Sequence, residues 1–163
     1  MIAYDENQVH YLVVTGIIVR DGKYLIAKRA DWEKAFPGRW SVPGGKLKVS
    51  DYINKPKDTE HHWYNIFENV VIREAKEETG LDITEIGYIT SMIYIRPDGI
   101  PCIIVSLYAN SPSGEVKLNS ALTEYRWVNI QEARSSDLID GIYEELLILD
   151  NFLKTGKMTG WKK

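Results

Sequence analysis

The feature that most constrains the fold is an apolar, β-branched run near the N-terminus, Tyr11-Leu12-Val13-Val14-Thr15-Gly16-Ile17-Ile18-Val19. Apolar side chains fall on both alternating faces of this run, which is typical of a β-strand that is covered on both sides. Asp21-Gly22 marks a turn, and a second strand is predicted over residues 23–28, so that the two strands form a hairpin. A strand buried on both faces needs a layer of structure on each side of its sheet.

Other patterns supply these layers. Apolar residues spaced by three and four predict a helix from about Thr59 to Thr79, with Asp58 or Thr59 as its N-cap and Gly80 ending it in the left-handed conformation. A closing amphipathic helix is predicted at about 140–154. Further strands are predicted over Trp40–Val42, Ile86–Ile95, Ile100–Ala109 and Glu124–Val128. This order predicts a single α/β domain over residues 1–163, an α/β/α sandwich with a mixed central sheet between helices.

Composition and charge narrow the function. The chain has 163 residues, of which 44% are hydrophobic and 26% charged, and its formal net charge is −3. A protein that binds duplex nucleic acid usually has a basic excess or a basic face, and none stands out here. A small phosphorylated substrate is compatible with this net charge, because a bound cation can supply the positive charge that the side chains lack.

The single cysteine and the N-terminus point to a cytoplasmic protein. Cys102 has no partner for an intramolecular disulfide, and its apolar surroundings in the sequence predict a buried, inert thiol. The N-terminal residues lack the basic and apolar regions of a signal peptide. No stretch approaches the ~20 apolar residues that a membrane span requires. We therefore expect no membrane association.

The pattern that carries chemistry is Arg73-Glu74-Ala75-Lys76-Glu77-Glu78-Thr79-Gly80. On a helix, Glu74, Glu77 and Glu78 project from one face with Cβ atoms about 5–6 Å apart, and each pair repels by about 0.2–0.5 kcal/mol. A hard divalent cation reverses the sign of this interaction. Carboxylate oxygens at such spacing suit Mg²⁺ or Mn²⁺.

The alternative interpretation is a solvated acidic face neutralised by Arg73 and Lys76, which is the usual meaning of such charge patterns. Two features of the context favour the metal site. The carboxylates lie near the C-terminal end of the helix, where the macrodipole is unfavourable for anions. A glycine pair, Gly44-Gly45, also follows a strand upstream of the helix.

These residues resemble the signature of Nudix hydrolases, G-x5-E-x7-R-E-U-x-E-E-x-G-U, in which U is a bulky aliphatic residue. The second half of the signature is matched from Arg73 to Leu81, with Ala75 at the aliphatic position. The approach Gly38–Gly45 and the segment Glu124–Val128 are similar to other segments of the family. The resemblance extends over about residues 10 to 150 and implies a MutT-like Nudix fold.

The first half of the signature departs from the pattern. Gly45 and Arg73 are 28 positions apart, whereas the signature separates them by 14, which implies a 14-residue insertion at about 46–62. Two alignments are open: either Asn65 replaces the first glutamate, or Asp51 keeps its place. The apolar stripe begins before Asn65, so Asn65 is the preferred assignment, with an enlarged loop and a lengthened helix. Asparagine brings no charge, so weakened metal binding, without inactivity, is expected.

The resemblance implies Mg²⁺- or Mn²⁺-dependent cleavage of a pyrophosphate bond in a nucleoside diphosphate linked to another moiety. Nucleoside triphosphates, nucleotide sugars and ADP-ribose are the substrate classes that it suggests. Glu77 and Glu78 are the first candidates for metal ligands, and Glu74 is either a further ligand or the base that orients water. A backbone carbonyl at Gly45 completes the coordination, and Arg73 orients the glutamates. A homodimer is expected, since dimers are common in the family.

Four residues outside the signature are further candidates. Glu124 is a distal ligand or general base, or else an ordinary residue at the start of a strand. Trp40 and Tyr94 are candidates for stacking on a base, and Arg29 for contacting a phosphate or base. The second functional hypothesis is a Nudix-like nucleotide-binding or regulatory domain with little or no catalysis, which the altered first half of the signature keeps open.

Overall fold

The computed structural model describes residues 5, 7–110 and 112–162. In that part of the chain, seven strands form one mixed sheet in the order β3-β2-β1-β6-β5, with β4 paired to β1 and β7 to β2. The strands are β1 (Tyr11–Arg20), β2 (Lys23–Arg29), β3 (Trp40–Ser41), β4 (Gly44–Lys46), β5 (Ile86–Ile95), β6 (Pro101–Ala109) and β7 (Leu122–Val128). The helices are α1 (Ile66–Thr79), α2 (Ile130–Arg134) and α3 (Ile142–Thr155). Only the β1–β6 pair is parallel among these seven strands.

Helices cover both faces of the sheet. On one face, hereafter the α1 face, α1 packs through Val70, Val71 and Ala75 against a core that includes Val14 and Val105. On the opposite face, the α3 face, the helix α3 packs against a second core of buried side chains, among them Ile17, Tyr24, Ile26, Ile89, Leu146 and Leu149. The prediction of a mixed sheet between helices is therefore confirmed.

β1 changes partner along its length, and this positions the glycine turn. Its C-terminal end pairs with β2, where Val19 lies opposite Tyr24. Its N-terminal half instead pairs with β4, where Thr15 lies opposite Gly44 and Val13 opposite Lys46. The glycine pair Gly44-Gly45, at the start of β4, therefore lies beside the part of β1 where the strand changes partner.

The start of the first helix was predicted wrongly. α1 begins at Ile66 rather than near Thr59, and its N-cap is Asn65, in the left-handed conformation with φ +53°. Asp58 caps nothing in α1; its backbone N–H donates to the carbonyl of His62 at 3.0 Å. The predicted lengthening of the helix is absent, and the additional residues form a loop.

This loop is stabilised by its own side chains, which explains the error. The Trp63 ring packs on Tyr52 with centroids 5.3 Å apart, and its indole N–H donates to the carbonyl of Lys55 at 3.0 Å. An apolar side chain at helical spacing is therefore used for packing inside the loop. Within the predicted insertion, a single turn of 3-10 helix also spans Val49–Asp51.

The other boundaries agree more closely. Gly80 ends α1 with φ +73°, as predicted, and the closing helix falls within two residues of its predicted limits. Cys102 is buried and free, also as predicted. β4 and α2 were not predicted, because three and five residues are too few to show a hydrophobic period. Over the described residues, no helix has the length and apolar character to cross a bilayer.

Candidate active site

Two glutamates of α1 contact the glycine pair Gly44-Gly45 of β4. The backbone N–H of Gly44 donates to Oε2 of Glu78 at 3.0 Å. The Glu74 carboxylate occupies the space beside Gly45, because a Cβ at that glycine would lie 2.1 Å from Oε1 of Glu74. A side chain at position 45 would thus displace the Glu74 carboxylate, so this position requires glycine for steric reasons.

Negative charge is concentrated where α1 meets the glycine pair of β4. Glu74 is 7% exposed, whereas the Glu77 side chain is half exposed. Burial raises the pKa of Glu78 to about 7; the hydrogen bond from Gly44 opposes this rise, and the negative charge of Glu74 adds to it. Because the negative charge of Glu74 disfavours the ionised form of Glu78, a cation is electrostatically favoured beside the Glu78 carboxylate.

Arg73 joins the acidic residues into one network. Its Nη1 donates to Oε1 of Glu74 at 2.6 Å and to Oε2 of Glu77 at 3.1 Å. Its Nη2 donates to Oδ2 of Asp51 at 3.2 Å, and its Nε lies 2.8 Å from Oδ1 of the same carboxylate. Although burial alone raises it, the pKa of Asp51 is lowered by hydrogen bonds from the Lys48 backbone and the Arg73 guanidinium.

These contacts favour the alignment that keeps Asp51 at the position of the first signature acid. Asp51 places its carboxylate on Arg73 and thereby next to Glu74 and Glu77. Asn65, the preferred assignment from the sequence, stands at the helix N-cap without a side-chain capping hydrogen bond. The geometry therefore favours Asp51 over Asn65 for this position.

Replacing Asp51 by asparagine is expected to lower the turnover number about tenfold, because Arg73 loses the negative charge that holds it against Glu74. The control is Asn65→Gly, which keeps the left-handed backbone accessible and is expected to change the rate less than twofold. Initial rates under saturating substrate measure both. Equal losses in the two variants would contradict the assignment of Asp51.

Arg29 acts electrostatically on Glu78, but two of its three side-chain nitrogens are already engaged by other residues. Its positive charge lowers the pKa of Glu78. However, its Nε donates to the carbonyl of Ala35 at 2.6 Å, and its Nη2 donates to Glu33 at 2.8 Å. The arginine thus ties the loop 30–39 to the end of β2. A direct contact with substrate stays a prediction.

Trp40 and Glu124 lie on the other side of the sheet. Both are opposite Lys28 in register and therefore share its side, the α3 face. Trp40 is 6% exposed and packs in the core beneath the Arg126 guanidinium, 4.5 Å from the ring centroid. Stacking of Trp40 on a base is thus not supported, since almost no ring surface is free.

Glu124 forms ion pairs with Lys28 at 3.4 Å and Arg126 at 3.8 Å. The structure does not bring it together with the glutamates of α1, which lie on the opposite face. Its proposed part in catalysis stays a prediction.

Tyr94 also lies on the α3 face. Its neighbour there, Phe36, was not predicted from the sequence. The ring of Phe36, in the loop 30–39, contacts the Tyr94 ring with centroids 5.5 Å apart. The signal in the sequence was an aromatic residue directly before Pro37-Gly38, within a segment treated as a plain loop.

The donor set suits a hard divalent cation, but its oxygen atoms do not yet converge. In residues 5, 7–110 and 112–162, no three Asp, Glu, His or Cys side chains are grouped closely enough to hold an ion. The reason is visible in the contacts, because Arg73 draws the carboxylates of Glu74 and Glu77 towards itself. Carboxylates of this number and kind remain the ligands that Mg²⁺ and Mn²⁺ prefer.

The fold is a mixed sheet between helices, and the candidate site is an arginine–glutamate helix in contact with the glycine pair of β4. The NUDIX domain profile matches residues 10–147. The chain therefore belongs to the Nudix family, as a Nudix pyrophosphohydrolase.

Individual relatives agree with this assignment. The chain is 32% identical over 136 residues to the nucleoside triphosphatase NudI of Escherichia coli (strain K12), covering 77% of this chain and 86% of that protein. Among solved structures it resembles a NUDIX hydrolase from Alicyclobacillus acidocaldarius, with a TM-score of 0.71, 14% identity and coverage of 95% and 99% of the two chains. It also resembles the NUDIX domain of Shewanella oneidensis NrtR complexed with ADP ribose, with a TM-score of 0.65, 16% identity and 94% coverage of each chain. The predicted Nudix fold is thus confirmed.

Proposed function

We propose that this chain uses Mg²⁺ to hydrolyse the pyrophosphate bond of a nucleoside triphosphate, or of a nucleotide sugar or ADP-ribose built on the same nucleoside diphosphate unit. The observation that carries the proposal is the seating of Glu78 on the Gly44 N–H, with Glu74 packed beside Gly45. The similarity to a nucleoside triphosphatase, at 32% identity, supports the triphosphate class.

Glu77 and Glu78 are proposed as the metal ligands, with Glu74 and the backbone carbonyl of Gly45 completing the set. Nudix hydrolases generally depend on a divalent metal, and Mn²⁺ is expected to substitute for Mg²⁺ because both accept carboxylate oxygens. When bound, such a cation neutralises charge on the phosphate oxygens and lowers the pKa of a coordinated water.

The side chains around the proposed metal site have separate roles. Arg73 holds Glu74 and Glu77 by charge-assisted hydrogen bonds, and the Gly44 N–H fixes the direction of the Glu78 carboxylate. Glu74, if it is not a ligand, is proposed as the base that orients the attacking water. Glu124 would need a substrate that reaches around the edge of the sheet to take that role.

A second candidate function is nucleotide binding without turnover, as in a sensing or regulatory domain. The observation in its favour is that Arg73 already neutralises Glu74 and Glu77, so that no three described acidic side chains converge. The intact set of three glutamates argues against it, because binding alone has less need of all three.

We also expect a cytoplasmic homodimer. The edge strand β5 supports the dimer, because its sequence Ile86–Ile95 carries no charged residue and leaves Tyr88, Ile93 and Ile95 exposed. Uncharged, exposed edge strands favour pairing with another strand.

A substrate panel distinguishes the two candidate functions. The protein is incubated with Mg²⁺ and nucleoside triphosphates, ADP-ribose, nucleotide sugars, dinucleoside polyphosphates and coenzyme A, and phosphate-containing products are followed. We expect hydrolysis of at least one compound, its loss with a chelator, and its return with Mg²⁺ or Mn²⁺. Measurable nucleotide binding without turnover of any compound would instead support the second candidate and overturn the first.

A further inference from the structure

The last turn of α1 carries two of the proposed metal ligands, Glu77 and Glu78. The last four carbonyl groups of an α-helix have no partner within the helix, and helix ends fray. A carboxylate in this turn is therefore fixed only as firmly as the turn itself. The N–H of Gly80 satisfies one of the four carbonyls, that of Lys76, at 3.0 Å.

The loop between β6 and β7 satisfies two more of these carbonyls. The N–H of Asn119 donates to the carbonyl of Glu78 at 3.1 Å, and the N–H of Lys117 donates to the carbonyl of Thr79 at 2.8 Å. Both donors are far from the helix in the sequence. The end of α1 is therefore completed by a loop that the fold brings to it.

The side chain of Asn119 fixes the shape of this loop. Its Oδ1 accepts a hydrogen bond from the N–H of Ala121 at 3.0 Å, and its backbone carbonyl accepts one from the N–H of Leu122 at 3.3 Å. An asparagine side chain that bonds the backbone two residues further on closes a turn locally. The backbone N–H that reaches Glu78 therefore belongs to a turn that the Asn119 side chain itself closes.

The same turn also contacts the end of β2. The carbonyl of Ala121 accepts a hydrogen bond from the N–H of Ala30 at 2.9 Å. Leu122 is buried and pairs with Arg29, whose positive charge lowers the pKa of Glu78. One short turn therefore fixes both the backbone of Glu78 and the strand end from which this charge acts.

We propose that Asn119 is a positioning residue, which holds the last turn of α1 so that the Glu78 carboxylate stays on the Gly44 N–H and within reach of the divalent cation. This assignment rests on the proposed function of Glu78 as a metal ligand. Without the Asn119 side chain the turn gains conformational freedom, and the carbonyl of Glu78 loses its fixed donor. The Glu78 carboxylate then spends part of its time away from Gly44, and the affinity for the cation falls.

The test measures metal binding rather than turnover. The dissociation constant of Mn²⁺ is determined by electron paramagnetic resonance for the natural protein and for Asn119→Ala. The alanine variant is expected to bind Mn²⁺ about fivefold more weakly, which is the effect of losing one net hydrogen bond. Asn119→Ser keeps an oxygen that can accept the N–H of Ala121, as serine does in such turns, and it is expected to recover most of the affinity.

Asn129→Ala is the matched control. The Asn129 side chain also accepts a backbone N–H, that of Glu132 at 2.9 Å, but it caps α2 instead of supporting α1. Urea denaturation is expected to show that both alanine variants lose stability, whereas only Asn119→Ala loses affinity for Mn²⁺.

Three results would refute the positioning role of Asn119. They are normal Mn²⁺ binding by Asn119→Ala, an equal loss of affinity in Asn129→Ala, and Asn119→Ser binding Mn²⁺ no better than Asn119→Ala. The proposed function fails separately, when the substrate panel shows no hydrolysis although Mn²⁺ binding responds to these substitutions as expected.

Discussion

Glu78→Gln is expected to lower the rate of pyrophosphate hydrolysis at least a hundredfold while leaving the fold intact. Glutamine has nearly the same shape and keeps an oxygen that can accept the Gly44 N–H. It removes the negative charge, and with it a ligand for a hard cation. A hundredfold loss corresponds to about 2.7 kcal/mol of transition-state stabilisation.

The control is Glu68→Gln, which removes a carboxylate from the first turn of the same helix. It is expected to retain nearly full activity, because Glu68 lies about two turns from Glu74 and almost three turns from Glu78. Mn²⁺ binding, followed by electron paramagnetic resonance, should weaken in Glu78→Gln alone. If Glu78→Gln keeps comparable activity, the assignment of the acidic helix as the catalytic metal site is wrong.

The part of this site that was predictable from sequence is the part fixed by local geometry. Helical spacing alone places Glu74, Glu77 and Glu78 on one face, and Gly80 ends α1 in the left-handed conformation that favours glycine. The doubly apolar run of β1 likewise required helices on both faces of the sheet, as found.

Contacts between residues that are distant in the sequence were not predictable in the same way. Asp51 and Asn65 are equally acceptable by counting along the signature, and only the fold brings the Asp51 carboxylate to Arg73, 22 residues away. Trp63 fits the apolar stripe of a helix, yet packing on Tyr52 is available to it only once the loop has closed. Trp40 is close in sequence to the glycine pair, but it pairs opposite Lys28, and its ring therefore packs in the α3-face core.

Glu145 explains a second large effect, on stability rather than activity. This residue of α3 is 4% exposed, and its carboxylate accepts a hydrogen bond from the hydroxyl of Ser106, which is fully buried. Burial raises the pKa of Glu145 from 4.5 to about 7; the Ser106 hydrogen bond opposes the rise, and the charge of Glu144 adds to it. At neutral and higher pH, a charge is therefore held inside the core at a cost.

The direction of the pH dependence follows from this rise. Between pH 4.5 and 7 the folded state binds the Glu145 proton more tightly than the unfolded state does, so the contribution is present at low pH and is lost as the pH rises through about 7. Glu145→Gln carries no charge at any pH and keeps an acceptor for Ser106. It should be more stable than the natural protein by about 3 kcal/mol at pH 8 and by only about 1 kcal/mol at pH 5.

Urea denaturation followed by tryptophan fluorescence at the two pH values measures this gap. Ser106→Ala serves as the companion variant, because it removes the hydroxyl that partly stabilises the buried carboxylate. That variant should lose more stability at pH 8 than at pH 5, the opposite trend to Glu145→Gln. If the free energy of unfolding of Glu145→Gln exceeded that of the natural protein by the same amount at both pH values, the pKa of Glu145 would not be raised in the folded state.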